Sequence, residues 1–159
     1  QVARPKNVGQ SPGCYNLRPT ARRGYALVDT GPLYAFGYGL SYTSFDISEP
    51  VLAASEIAAD DATSVSVTVT NSGDVTADEI VQMYIRDDIS SVTRPVMELK
   101  GFQRVRLAPG ESQTVSLPIT PEALQFFDRD MQRVVEPGTF TIMVGNSSQS
   151  HQSTTLTVQ

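Results

Sequence analysis

The sequence predicts an antiparallel β-sandwich, on three observations. Ser64-Val65-Ser66-Val67-Thr68-Val69-Thr70 alternates valine with a hydroxyl residue, the period of a strand with one face buried. About seven short extended segments follow one another, separated by turn signals roughly every 8 to 15 residues. No stretch carries the apolar periodicity of an amphipathic helix.

A first strand is expected near 45–53, where period-two patterning begins at Phe45. Residues 64–70 form the next, closed by the turn Asn71-Ser72-Gly73-Asp74. Ile80 to Arg86 follows, with Val81, Met83 and Ile85 on one side and Gln82, Tyr84 and Arg86 on the other. Further strands are expected at 97–107, 112–119, 139–145 and 153–158, with a short hairpin or bent pair at 125–135. Leu107-Ala108-Pro109-Gly110-Glu111 and Glu136-Pro137-Gly138-Thr139 place Pro before Gly, which suits a turn whose third residue takes a positive φ. Thr120-Pro121-Glu122-Ala123-Leu124 is the one helical signal, a single turn with Thr as cap and Pro at the first helical position. The pattern is that of an immunoglobulin or fibronectin type III-like antiparallel β-sandwich, so the class is all-β.

An extended N-terminal arm precedes the sandwich. Pro5, Pro12, Pro19 and Pro32, with six glycines between Gly9 and Gly39, interrupt any helix. The arm's Tyr25, Leu27, Val28, Leu33, Tyr34, Phe36, Tyr38 and Tyr42 are too scattered to form a core, so they are expected to pack on something else. Charge divides at the same place: residues 1–45 carry five basic residues against Asp29 alone, a net of +4, and 46–159 carry −9.

The whole chain of 159 residues has a formal charge of −5, which argues against a broad nucleic-acid surface. No apolar run approaches the roughly 18 residues of a membrane-spanning helix. A single cysteine, Cys14, has no partner for an intramolecular disulfide, and a single histidine, His151, makes no metal site of the usual Cys/His kinds. The opening at Gln1 lacks a signal-length apolar region, so processing or truncation is expected upstream of it.

Paired acids can hydrolyse a glycosidic bond, and the chain offers Asp60-Asp61, Asp87-Asp88 and Asp128-Arg129-Asp130. Each sits at a strand end or loop, where neighbouring side chains diverge, and all are read as solvated loop charge. Asp128 and Asp130 lack the other ligands of a calcium loop. His151 is placed in a Ser/Gln-rich loop as a surface residue rather than a catalytic base, and Cys14 has no base beside it. Phe36-Gly37-Tyr38-Gly39 lacks the context of a phosphate cradle. Arg22-Arg23 suits an ion pair or a sugar hydroxyl. Asn146-Ser147-Ser148 fits the glycosylation pattern but is read as turn chemistry.

Pro32-Leu33-Tyr34-Ala35-Phe36-Gly37-Tyr38-Gly39-Leu40-Ser41-Tyr42-Thr43-Ser44-Phe45 closely resembles the junction where the catalytic part of family 3 glycoside hydrolases meets their C-terminal fibronectin type III-like domain. The likeness continues through Val81-Gln82-Met83-Tyr84-Ile85, Arg94-Pro95-Val96-Met97-Glu98-Leu99-Lys100-Gly101-Phe102, Leu107-Ala108-Pro109-Gly110-Glu111, Glu136-Pro137-Gly138-Thr139-Phe140 and Val144-Gly145-Asn146-Ser147-Ser148. Upstream, Val8-Gly9-Gln10, Tyr15-Asn16 and 19–25 resemble the last stretch of the α/β sandwich domain in bacterial β-glucosidases and β-xylosidases. Local departures are Ala35 in place of a frequent proline, Val134 near a common aromatic, and Ser11, Gly13 and Cys14 in place of larger residues.

The resemblance implies a retaining double displacement, with an aspartate nucleophile on an N-terminal barrel and an acid/base residue on the α/β sandwich domain. None of Asp60, Asp61, Asp87, Asp88, Asp128 or Asp130 matches a catalytic position, so no catalytic residue is assigned to this chain. It divides into an arm, 1–45, ending an α/β domain whose remainder is missing, and a fibronectin type III-like sandwich, 46–159. The expected role is structural: stabilising and orienting the catalytic domains of a β-glucosidase or β-xylosidase, which are the partner and supply contact with the β-linked saccharide. Arg22, Arg23 and Tyr25 are the candidates for substrate contact. No cofactor, metal, nucleic acid or membrane span is expected, and the family points to the periplasm or outside the cell. The alternative is an independent carbohydrate-binding or adhesive module, which the same fold often serves.

Overall fold

The computed structural model describes residues 32–159. One sheet is built on β4 (Thr63–Asn71), paired along its length with β7 (Ser112–Ile119) and, on its other edge, with β1 (Phe45–Ile47) and β2 (Val51–Leu52). The second has the order β3 (Glu56–Ile57), β11 (His151–Val158), β10 (Gly138–Gly145), β5 (Ala77–Asp87), β6 (Glu98–Leu107). Between β7 and β10 the chain makes the single turn α1 (Pro121–Leu124) and a two-stranded hairpin, β8 (Phe126–Phe127) with β9 (Arg133–Val134).

The core lies between the sheets. Val65, Val67 and Val69 of β4 meet Val115, Leu117 and Ile119 of β7 on one side. Val81, Met83 and Ile85 of β5, Val105 and Leu107 of β6, Phe140, Ile142 and Val144 of β10, Leu156 and Val158 of β11 and Ile57 of β3 line it from the other. Period-two alternation therefore puts whole sets of side chains into one core, each burial contributing roughly 1.5–3 kcal/mol.

Three local features depart from the expected pattern. The 45–53 strand is broken: Ile47 lies opposite Val69 but Val51 opposite Ser66, so the edge carries one extra residue across Ser48-Glu49-Pro50. Pro50 has no N–H to offer a ladder, and the Ser48 hydroxyl instead accepts from the Thr68 amide at 2.9 Å. Three residues separate β2 from β3, which lies in the other sheet and pairs in parallel with the end of β11. A second irregularity inserts Lys100 into β6, between the pairs Met83–Gly101 and Tyr84–Leu99.

Gly110 takes φ +75°, as its turn requires. Gly138 also takes a positive φ, +157°, where it opens β10. Thr120 occupies the N-cap with an extended backbone, but its hydroxyl caps no helix amide. It serves the Glu122 carboxylate, holding that group below its ordinary pKa.

Candidate functional site

On β5 the residues opposite the core, Gln82 and Tyr84, belong to the face that an antiparallel sheet normally gives to water. Here both are buried, at 6% and 0% exposure. Residues 32–44, the end of the arm, cross this outer face as a strap. Phe36 plugs into a small second core with Tyr84 and Met143, flanked by Met97 and Leu99. The Phe36 ring meets Tyr84 edge-on at 6.4 Å, and the inserted Lys100 is what brings Leu99 beside Tyr84.

Polar groups fasten the strap. Gln82 Nε2 donates to the carbonyls of Gly37 at 3.1 Å and Asn146 at 2.7 Å, while its Oε1 accepts from the Tyr84 hydroxyl at 2.5 Å. The Ser148 amide donates to the Phe36 carbonyl. Further along, the Thr43 hydroxyl donates to Asn71 Oδ1 at 2.8 Å, and the Ser72 amide to the Ser44 carbonyl. Asn71 is fully buried and knots this end of the sandwich, its Nδ2 donating to Val75 O and Leu107 O.

Before and between these anchors the strap turns large apolar side chains outward. Leu40 and Tyr42 are 89% and 95% exposed, and Leu33, Tyr34 and Tyr38 about half exposed. The Tyr34 and Tyr38 rings stack at 5.3 Å. Phe102, directly opposite Gln82 on β6, and Ile80 extend the exposed apolar surface on the same sheet face. So many large apolar groups on one segment mark a surface built to be covered.

The far end of the sandwich is organised by charge. Arg94 Nη1 donates to Asp87 Oδ2 at 3.0 Å and to the Leu124 carbonyl, and Nη2 to Glu98 Oε2 at 3.1 Å. Its guanidinium lies 4.8 Å from the centre of the Phe126 ring. The Ser91 hydroxyl and amide hold Glu136 below its ordinary pKa.

The predicted site residues fare unequally. Arg22, Arg23, Tyr25 and Cys14 lie outside the described residues. Asp60 and Asp61 are exposed, as expected of solvated loop charge. Asp87 is not: its side chain is 3% exposed and ion-paired with Arg94, because the β5–β6 loop folds back over it. Asp88 is shared between Arg86 and the Thr141 hydroxyl. Asp128 Oδ1 accepts from the amides of Asp130 and Gln132, shaping the β8–β9 loop around Met131 at φ 59°. His151 is no loop residue but the first of β11, its ring beside Tyr84 and its buried Nδ1 without a hydrogen-bond partner among the described residues.

Sequence reasoning missed Gln82, Tyr84 and Asn71 as fastening points. The available signal was that Met83-Tyr84-Ile85 and Ile142-Met143-Val144 are apolar on both faces, which predicts cover on both.

Comparison with known proteins places the chain in a family. The model of the fibronectin type III-like domain matches residues 79–148. A putative β-xylosidase of Formosa agariphila is 46% identical across 96% of this chain and 20% of its own length. The periplasmic β-glucosidase of Salmonella typhimurium is 40% identical across 92% and 21%. Among solved structures, the β-glucosidase of Erythrobacter marinus superposes with a TM-score of 0.93 at 46% identity, covering 99% of this chain and 21% of that one. The Listeria innocua β-glucosidase in complex with glucose gives 0.89 at 34% identity, covering 98% and 23%. The chain thus spans about a fifth of the relatives it matches, so other domains of the same polypeptide are implied. No helix among the described residues is long and apolar enough to cross a membrane. Sandwich topology, strap and sequence agree: the chain belongs to the family 3 glycoside hydrolases, as their C-terminal fibronectin type III-like portion.

Proposed function

We propose that the chain is the non-catalytic part of a retaining β-glycosidase acting on β-glucosides or β-xylosides, and that it fixes the orientation of the catalytic domains. The observation that carries this reading is the strap's row of exposed large apolar side chains on a chain spanning a fifth of its relatives. The preceding barrel and α/β sandwich domains, with the acids between them, are the partner. Contact with the β-linked saccharide runs through that part. Residues 1–45 end the α/β domain and 46–159 form the accessory sandwich. A periplasmic or extracellular enzyme is in keeping with the relative from Salmonella typhimurium.

Retaining hydrolysis needs two carboxyl groups about 5–5.5 Å apart. Their spacing is set by how two separate domains meet, and a displacement of ~1 Å costs on the order of a hundredfold in rate. A sandwich packed against both domains opposes that displacement. Deleting the parent enzyme from Asp46 onward is expected to abolish most activity and lower the melting temperature. Full retention of both would overturn the reading. Arg22, Arg23 and Tyr25 are proposed to reach the sugar subsites from the segment before the strap. Arg23→Ala in the parent enzyme is expected to raise KM, and unchanged kcat and KM would remove Arg23 from that role.

A further inference from the structure

We infer that Gln82 is a positioning residue for the parent enzyme's catalysis: an amide latch, aided by Tyr84 and Gly37, that locks the segment entering the sandwich onto its outer face. The inference rests on the reading above, in which that segment continues into the catalytic domains.

The latch is specific in its chemistry. A primary amide offers two N–H donors and one carbonyl. Gln82 spends both donors on backbone carbonyls, of Gly37 in the strap and Asn146 in the β10–β11 turn, and its oxygen on the Tyr84 hydroxyl. Two carbonyls can only accept, so the amide has one possible orientation, and the Tyr84 hydroxyl completes it. Three segments distant in sequence are joined by one side chain.

The strap is shaped for this contact. Gly37 takes φ +78°, and a Cβ there would overlap the Gln82 amide and lie 2.7 Å from the Tyr84 hydroxyl. Glycine therefore lets the strap backbone reach the amide. Phe36, one residue earlier, fills the pocket against Tyr84 and Met143 and accepts the Ser148 amide at its carbonyl. By contrast, a Cβ at Gly39 would meet nothing within 4 Å, and Leu40 and Tyr42 point to solvent. Among the described residues of the strap, Phe36-Gly37 is thus a firm point on the outer face.

Gln82 and Tyr84 lie outside the main core between the sheets, which is built from Val81, Met83 and Ile85 on the other face of the same strand. Releasing the latch should therefore free the strap while the sandwich stays folded, separating orientation from stability.

The test uses the full-length parent enzyme with Gln82→Met, which keeps length and removes the amide, and Tyr84→Phe, which keeps the ring and removes the hydroxyl. Active sites are counted by trapping the covalent intermediate with a 2-deoxy-2-fluoro-β-glycoside of glucose or xylose, whichever sugar the enzyme hydrolyses. Gln82→Met is expected to lower kcat per titrated site about tenfold with KM little changed, and Tyr84→Phe to act in the same direction by less. A purely structural residue would lower the number of titratable sites and leave kcat per site alone, so unchanged kcat per site overturns the latch. If Gln82→Met does not fold, Tyr84→Phe decides by the same criterion. Truncation before Asp46 separates the two ideas. Full activity there overturns the orienting role itself, whereas an inactive truncation beside unaffected point variants overturns only Gln82.

Discussion

Single residues carry more of this structure than their types announce. Asn71 sits in Asn-Ser-Gly-Asp, a turn signal, and it does close a strand. Yet its side chain is fully buried, donating to Val75 O and Leu107 O and accepting from the Thr43 hydroxyl and the Gly73 amide. Asn71→Ala leaves several of these groups without partners, at about 1–3 kcal/mol for each one kept from water. A loss of roughly 2–4 kcal/mol is expected in denaturant unfolding of this chain. Glu79 shows the opposite economy. It faces the Val105 side of β6, and burial pushes its carboxyl above the ordinary 4.5, partly offset by the Ile80 amide. A raised pKa means the fold prefers the protonated acid, so stability is fully present below the unfolded value and is lost as pH rises through the folded one. Glu79→Gln is expected to be more stable than the wild type at pH 7, with the two thermal transitions converging as pH falls below about 4. A gap that persists at low pH would show that titration is not its cause.

At the scale of elements, period two and the spacing of turn signals together placed every long strand, because each buries a face in a common core. What escaped was decided across elements. β3 is two residues long and takes its place from parallel pairing with β11, which no local pattern encodes. Asp87 looked like loop charge because its partner, Arg94, arrives only when the β5–β6 loop folds back. That arginine binds Asp87, Glu98 and Leu124 O in a fixed fork and lies over Phe126. A lysine offers one compact charge with no planar face. Arg94→Lys should therefore leave Asp87 poorly paired at a site where its side chain is 3% exposed. Removing one partner of such a pair costs about 3–5 kcal/mol, and the lysine should lose a substantial part of it. Protection of the 88–97 amides from hydrogen exchange should fall first, while the β4 and β10 amides keep theirs.

Across the whole molecule there are two cores of different standing. The one between the sheets would form in any sandwich of this pattern. The one under the strap ties the sandwich to the chain that precedes it, and there the aromatic-rich arm, judged from sequence to need a surface to pack on, finds part of one. Phe36 is satisfied by Tyr84 and Met143, but Leu40 and Tyr42 are left 89% and 95% exposed. In this chain alone those two side chains touch little, so Leu40→Ser with Tyr42→Ser should change stability by no more than about 0.5 kcal/mol, as for ordinary surface positions. In the parent enzyme the same pair is expected to be covered by the preceding domains. Losing two large apolar contacts, at roughly 1.5–3 kcal/mol each, should then lower the melting temperature by several degrees and kcat with it. Equal, small effects in both settings would mean that the exposed row faces water in the complete enzyme too, and the orienting role would have to act through another surface. A large effect only in the parent enzyme would identify these two side chains as part of the contact through which an inert sandwich governs the distance between two distant acids.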